Sequence, residues 1–388
     1  MQELSNRRIL HIAGGSAYGG GSKVILDLAT GSLNAGARVE VLTTNPKMTA
    51  EALALGVGVV DLDVIRRPIH PVHDVSGFFR LTRYLRRNRY DIVHTHTSKA
   101  GVIGRFAAAA ARTPVVVHTV HGFAFHERSP RWQAFSVVAA ERLASLVSSR
   151  VVTVSLHHYD EARRTGAVPK RKLTAVQNGV PKAEPVDVDR LAQARKDLLL
   201  PGKTVALLSH GRLATQKGLT YLLQGLYLMR NVESLPDNLT VSIVGDGELA
   251  GELRAEATEL GLDDVVQFLG FRNDIHELID AADIVVLPSL WEGLSIALME
   301  AMSRGALVVV SDIPSNRELV QDGVNGILFA SASASALASA LEETLKRMNL
   351  LRPLGAVAQA QLSNQHGVQR MQDAYNRIYA EELGINRG

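Results

Sequence analysis

Two carboxylates stand eight residues apart in PSLWEGLSIALMEAM, residues 288–302: Glu292 at the mouth of a loop before Gly293, and Glu300 two turns into an apparent helix. Eight residues at about 100° each leave two side chains within roughly 80° of one another, so both carboxylates can face one cleft. Upstream, ADIVVLP (282–288) reads as a short buried strand that Pro288 stops. Gly293, Leu294 and Ser295 then fall at a helix start, where amide N–H groups without intrahelical partners favour a phosphate. A strand, a glycine turn and a helix carrying two acids suit a sugar or ribose beside a phosphate. The other reading is an amphipathic helix whose acids are simply solvated.

A second constellation is cationic. SHGRLATQKGL, residues 209–219, follows a strand and opens a helix, with Arg212 and Lys217 between Gly211 and Gly218. Fixed cations of this kind can neutralise a diphosphate leaving group in an enzyme that uses no metal. VGDGELAGEL (244–253) forms a G-x-G-x-x-A turn with Gly245, Gly247 and Ala250, but the next strand ends in Gly-Phe-Arg without an acid for a ribose hydroxyl. A dinucleotide site is therefore not expected. DLD (61–63) and DVD (187–189) imitate a metal-binding D-x-D without its surroundings, and PGKT (201–204) lacks the first glycine of a P-loop. No G-x-S-x-G occurs. His94 and His96, or His118 and His121, could be read as metal ligands, but there is no cysteine and no clear third ligand, so no metal and no cofactor are expected.

At 388 residues the chain suits two domains of about 190 residues. Apolar content of 46% with 21% charged residues marks a globular protein. The net charge of +3 hides a division: up to Lys182 there are 25 Lys and Arg against 12 Asp and Glu, and beyond it 17 against 27. The basic half is expected to meet something anionic. No nucleic-acid-binding motif accompanies the charge, so a phosphate-bearing lipid or an anionic membrane surface is the better fit. In GFFRLTRYLRRNRY (77–90), Phe78, Leu81 and Leu85 form one stripe among Arg80, Arg83, Arg86, Arg87 and Arg89. Such a helix packs on a sheet, attracts anionic lipid, or does both. The opening MQELSNRRILHIAGG is unlike a secretory leader, and no stretch reaches the roughly 20 apolar residues that span a bilayer. The expected location is the cytoplasm, with peripheral attachment to the inner membrane face.

The elements that must hold these residues alternate regularly. RRILHIAG, ARVEVLTT, GVGVVDLDV, DIVHTH, PVVVHTV, RVVTVS and KLTAVQNGV read as strands in the first half, with helical segments at Lys23–Ala35 and Val75–Arg87 among them. TVALLSHG, NLTVSIVGDG, DVVQFLGF, ADIVVLP, ALVVVSD and GILFA repeat the pattern in the second. Two runs of β-α units predict an α/β protein with two doubly wound parallel-sheet, Rossmann-like domains, whose ligands bind beyond the carboxyl ends of the strands. The expected boundaries are 1–182, 183–366 and a terminal helical segment, 367–388, with an apolar stripe at Val368, Met371, Ala374, Ile378 and Tyr379.

The acid pair, the cation loop (which matches G-R-x-x-x-x-K-G at every fixed position), HTHTSKAGVIGR (94–105) and VHTVHGFAFHE (117–127) together resemble retaining GT-B glycosyltransferases of the family 4 type. The likeness is to the subset that builds exopolysaccharides and lipid-linked oligosaccharides. It covers nearly the whole chain, most strongly residues 205–330.

The resemblance implies two domains facing across a cleft and a final helix crossing back to the N-terminal one. It implies transfer of a hexose, without metal and with retention, from a nucleotide sugar to a saccharide or polyprenyl-linked acceptor. The donor would be a UDP-hexose or UDP-N-acetylhexosamine. Arg212 and Lys217 would neutralise its diphosphate, with the amides of Gly293 and Leu294 assisting and Ser295 adjoining them. Glu300 would hold the ribose and Glu292 the hexose hydroxyls. Phe271 and Arg272 would meet the base, Gly247 would lie in the donor site, and His121 would touch the hexose. Gly20, in GGSAYGGGSK, would offer its amide to the donor. Relatives commonly carry GG-x-E-R there, and Gly21, Ser22 and Lys23 stand instead, so no acidic acceptor contact is implied. Lys99 and His96 would stand on the acceptor side. The same fold also serves UDP-sugar 2-epimerases, and a non-catalytic nucleotide-sugar sensor would use the same cleft.

Overall fold

The computed structural model describes residues 4–15, 18–65, 70–123 and 130–385. The chain forms two compact units, Met1–Gly179 with Val368–Gly388, and Val180–Gly367.

In the first unit, seven parallel strands stand in the order β3-β2-β1-β4-β5-β6-β7. They are β1 (Arg8–Gly14), β2 (Arg38–Thr43), β3 (Gly58–Val60), β4 (Ile92–His96), β5 (Val115–Val120), β6 (Arg150–Thr153) and β7 (Leu173–Ala175). In the second, six parallel strands stand in the order β10-β9-β8-β11-β12-β13. These are β8 (Val205–His210), β9 (Leu239–Val244), β10 (Val266–Gly270), β11 (Ile284–Leu287), β12 (Val308–Asp312) and β13 (Ile327–Ala330). All thirteen strands fall inside the stretches that apolar patterning marks. Helices cover the sheets, so strands such as β5, β9 and β11 are buried along their whole length; β11 reads as an unbroken Ile/Val/Leu run, and β5 and β9 as apolar runs interrupted by His118 and Thr119 and by Thr240 and Ser242.

Both sheets reverse their strand order once. In the first unit the chain winds outward from β1 to β3, then continues from β4 on the other side of β1; in the second it winds from β8 to β10 and resumes at β11 beside β8. At such a point adjacent loops diverge and leave a crevice at the carboxyl ends of the strands. The two crevices lie at the ends of β1 and β4, and of β8 and β11.

Helix boundaries differ from the periodicity. The first helix runs Gly20–Asn34 and thus starts three residues before Lys23. The basic helix runs Pro71–Asn88 because Pro71 supplies a preset N-terminal φ. It packs as expected, with Leu81 and Leu85 buried and Arg80, Arg83, Arg86, Arg87 and Arg89 exposed. The terminal helix Val368–Glu382 belongs to the first unit and lies on helix Gly20–Asn34. Gln372 donates to Asp27 O at 2.7 Å and Asn376 donates to Gly31 O at 3.1 Å across that contact. Among the described residues no helix is long and apolar enough to cross a membrane.

Candidate functional site

The β8/β11 crevice gathers the cation loop and the acid loop. Gly218, at φ +63°, brings them together: a Cβ there would stand 2.2 Å from Pro288 O. Across this contact Lys217 Nζ meets Glu292 Oε1 at 2.5 Å, with the two side chains only 18% and 8% exposed. Ser289 Oγ donates to the same oxygen at 2.9 Å, and Gln216 Nε2 donates to Glu292 Oε2 at 3.0 Å and to Trp291 O at 3.0 Å. Three donors from two loops therefore fix one carboxylate. Arg212 lines the same recess as Lys217, beside Pro288 and Ser289, and its Nη2 pairs with Glu248 Oε2 at 2.8 Å. That pair is 32% and 51% exposed and contributes about 0–1 kcal/mol.

Gln216 and Ser289 were not anticipated. Nothing in their spacing distinguishes them, although Gln216 immediately precedes the lysine of the matched motif.

Residues 292–295 are not helical. The helix begins at Ile296 and Ser295 caps it, accepting a bond from Leu298 N at 3.4 Å. Glu292 is held by the loop, as its place before Gly293 suggests, and Glu300, 9% exposed, lies just over one turn into the helix instead of the expected two. The Ser295 hydroxyl is spent on the cap, and the Leu294 side chain is 4% exposed, so these two residues offer a ligand mainly backbone groups.

Gly247 serves the cation loop from behind. A Cβ on it would lie 2.3 Å from Leu213 O, and Leu213 N and O bond to Asp246 O and Leu249 N. Its missing side chain lets the turn after β9 support Arg212. Phe271, at the end of β10, is 53% exposed. Arg272 next to it is held by two carboxylates, Asp274 Oδ2 and Asp197 Oδ2, both at 2.6 Å. Its hydrogen bonds to Asp274 and Asp197 raise its pKa, and they leave the backbone as what this residue offers a base.

In the first unit the strand ends carry a buried histidine cluster. His11 Nδ1 lies 3.1 Å from His96 Nε2, and His96 Nδ1 lies 3.0 Å from His121 Nε2. His94 reaches Tyr379 OH at 2.5 Å and Thr119 Oγ1 at 2.8 Å, and Thr119 in turn meets Tyr375 OH at 3.0 Å. Both tyrosines come from the terminal helix. Burial depresses the histidines, His11 to about 3 and His121 to about 4, with His94, His96 and His118 also well below their ordinary value.

His96, expected on the acceptor side, is fully buried, and both of its ring nitrogens face other histidines. The third histidine missing from the sequence pattern is His11, which β1 sets beside His94 and His96 with ligand atoms mutually within 4.8 Å. Among the described residues no carboxylate or thiolate joins the three, so a dication bound by these alone would keep its whole charge in the interior. Imidazole-to-imidazole hydrogen bonding accounts for the short contacts instead.

Lys99 opens helix Ser98–Ala110 and pairs with Asp74 Oδ1 at 2.6 Å. Thr97 between His96 and Ser98 adopts φ 60°, ψ 158°, a conformation nearly restricted to glycine and strained for a β-branched residue. Gly20 is the first residue of its helix, and its cap, Gly19, supplies no side-chain bond. Ser16 and Ala17 of that loop, and residues 124–127 of VHTVHGFAFHE, lie outside the described residues.

The arginine of HTHTSKAGVIGR has a structural task. Arg105, 0% exposed, meets Glu141 Oε2 at 2.8 Å and donates through Nε to Gly101 O at 2.8 Å. Glu141→Ala strands that guanidinium in the core and should cost about 3–5 kcal/mol, read as a lowered urea midpoint. Arg105→Met with Glu141→Leu should recover most of the loss, because neither charge is then left alone. A Glu141→Ala midpoint within error of the parent would show that the pair carries no such role.

Two family profiles match adjoining parts of the chain, "Glycosyltransferase Family 4" over residues 18–184 and "Glycosyl transferases group 1" over 192–361. The Escherichia coli UDP-Gal:alpha-D-GlcNAc-diphosphoundecaprenol alpha-1,3-galactosyltransferase is 34% identical over 71% of each chain. A D-inositol 3-phosphate glycosyltransferase of Saccharomonospora viridis is 27% identical, covering 95% of this chain and 91% of that one. The fold matches the Anabaena protein HepE, crystallised with UDP and glucose, at TM-score 0.83, with 22% identity and coverage of 97% and 100%. A 7-stranded and a 6-stranded parallel sheet, profiles matching both halves and the 34% identical relative place this chain among the group 1, family 4-type glycosyltransferases.

Proposed function

We propose that the protein moves a hexose, with retention and without a metal, from a UDP-linked donor to a saccharide or polyprenyl-linked saccharide in polysaccharide biosynthesis. The observation that carries this reading is the Lys217–Glu292 pair beside Arg212 in the β8/β11 crevice.

The roles follow from the bonds. Glu292 takes one of the three ammonium hydrogens of Lys217, which leaves two for diphosphate oxygens and holds the cation in place before ligand arrives. Arg212 needs only to exchange its weak, exposed Glu248 partner for phosphate, a bidentate match its guanidinium favours. Glu292, oriented by Gln216 and Ser289, retains acceptor capacity for hexose hydroxyls. The family likeness adds Glu300 for the ribose, the Gly293 and Leu294 amides for phosphate, Phe271 and the Arg272 backbone for the base, and His121 for the hexose. No protein nucleophile is needed: the leaving phosphate accepts the acceptor's proton on the same face. UDP as the nucleotide accords with the ligands of HepE and the name of the E. coli relative.

Incubation with a panel of UDP-sugars and bacterial lipid extract tests the proposal. Lipid-dependent UDP release with a labelled sugar entering the lipid fraction is expected. An isomerised UDP-sugar without lipid would mean a 2-epimerase, and binding without turnover would mean a sensor; either result displaces transfer.

We also propose an anionic membrane surface as partner. Helix Arg131–Leu146 exposes Trp132, Phe135, Leu143 and Leu146 at 73%, 77%, 58% and 63%. These positions fall on one helical stripe, and helix Ser98–Ala110 packs between this helix and the basic one. Aromatic residues on one element and arginines on another suit an interfacial contact. Sedimentation with phosphatidylglycerol vesicles should exceed that with phosphatidylcholine and fall with salt. Trp132→Ser with Phe135→Ser should reduce it several-fold. Equal sedimentation of the variant and the parent would remove this face from the account.

A further inference from the structure

The His11–His96–His121 chain has a direction, and the direction decides what His121 can do. A neutral imidazole has one N–H and one lone pair. Two successive imidazole–imidazole hydrogen bonds therefore force all three rings into a common polarity. In one, each ring donates away from His11 and His121 ends with its hydrogen on Nδ1. In the other, each donates toward His11, whose Nε2 then carries a hydrogen.

The His11 end discriminates between them. Its Nε2 is buried and has no hydrogen-bond partner among the described residues. The neighbouring ring, His94, cannot serve it, since both His94 nitrogens are engaged by Tyr379 and Thr119. Under the second polarity an N–H would be sealed in the interior without an acceptor, and orphaned buried N–H groups are rarer than acceptors left with a spare lone pair. Under the first, only a lone pair is left over.

We infer that His11 and His96 are positioning residues that lock His121 as the Nδ1–H tautomer, with its only lone pair spent on His96. This goes against the weak intrinsic preference of histidine for Nε2–H, and so the tertiary structure has to enforce it.

The consequence concerns the reaction and rests on the transferase reading above. A ring so locked can donate a hydrogen bond to a ligand oxygen, such as a sugar hydroxyl. It cannot take a proton from an acceptor hydroxyl, because its basic nitrogen already accepts from His96. His121 is thereby a hydrogen-bond donor in the site and not its general base. The strained Thr97 and the tyrosines of the terminal helix hold the relay rigid: Thr97 follows His96 directly, and Tyr379 and Tyr375 close the back of the cluster.

Long-range 1H–15N correlation spectra of the full chain with 15N-labelled histidine, at pH above 7, read each tautomer directly. The expected result is a pyrrole-type Nδ1 and a pyridine-type Nε2 for His11, His96 and His121. His96→Asn, whose amide can still donate to His121 Nε2, should keep the His121 pattern; His96→Leu should let it shift to Nε2–H. A pyrrole-type Nε2 on His121 in the parent protein overturns the inference. So does a change of these resonances on adding zinc chloride, which would make the cluster a metal site. The parent spectrum requires no variant to fold. It also requires no sugar transfer, so its failure is separable from failure of the enzymatic reading.

Discussion

Replacing Arg212 and Lys217 together by alanine is expected to lower donor turnover by at least about a thousandfold, since losing even one preorganised stabilising group costs roughly 10²–10³ in rate. The two singles should differ. Arg212 sits on the exposed rim with an exposed partner, so Arg212→Ala should lose rate with its thermal midpoint almost unmoved. Lys217→Ala leaves the 8% exposed Glu292 carboxylate with only Ser289 and Gln216 as donors, and should lose rate and some stability together. Lipid-dependent UDP release is the measurement, with melting curves alongside. Activity in the double variant near that of the parent would end the diphosphate role of this crevice.

The second large effect is acid lability. His11, His94, His96, His118 and His121 are all depressed by burial, and among the described residues no acid offsets them as a strong partner: Glu141, 4.0 Å from His118, is committed to Arg105. The sign follows from linkage. Above about pH 6.5 these histidines are neutral in folded and unfolded chains alike and contribute no slope. Below it the unfolded chain binds protons that the folded chain refuses, so stability falls with falling pH, by about 1.4 kcal/mol per pH unit for each such histidine. The fall continues toward the folded values of about 4 for His121 and about 3 for His11. Urea midpoints should therefore be level from pH 8 to 7 and drop steeply between pH 6.5 and 5. His94→Gln with His96→Gln should flatten the drop. A parent midpoint unchanged at pH 5 would show that the cluster is protonated in the fold.

Much of the molecule was legible before its fold was known. The thirteen strands of the described residues announce themselves because a parallel sheet covered on both faces needs near-continuous apolar runs, and such runs survive in one dimension. The cation loop was legible for a similar reason: eight residues between strand and helix must carry both cations and both glycines, so their spacing is itself the motif. Helix starts were less legible. The helix that carries Glu300 starts only at Ile296, later than the apolar pattern suggests, because a cap such as Ser295 is chosen by local hydrogen bonding that apolar periodicity does not record.

What this sequence determined alone was the two-sheet α/β architecture, the positions of its strands and the Arg212, Lys217 and Glu292 constellation. What only the tertiary structure decided was which side chains meet. Gln216 and Ser289 converge on Glu292, Asp197 and Asp274 occupy Arg272, Asp74 takes Lys99, and His11 joins His96 from a strand 85 residues away. Strand order in a doubly wound sheet sets those meetings, and that order comes from packing helices on both faces, with no local signal in the residues it brings together.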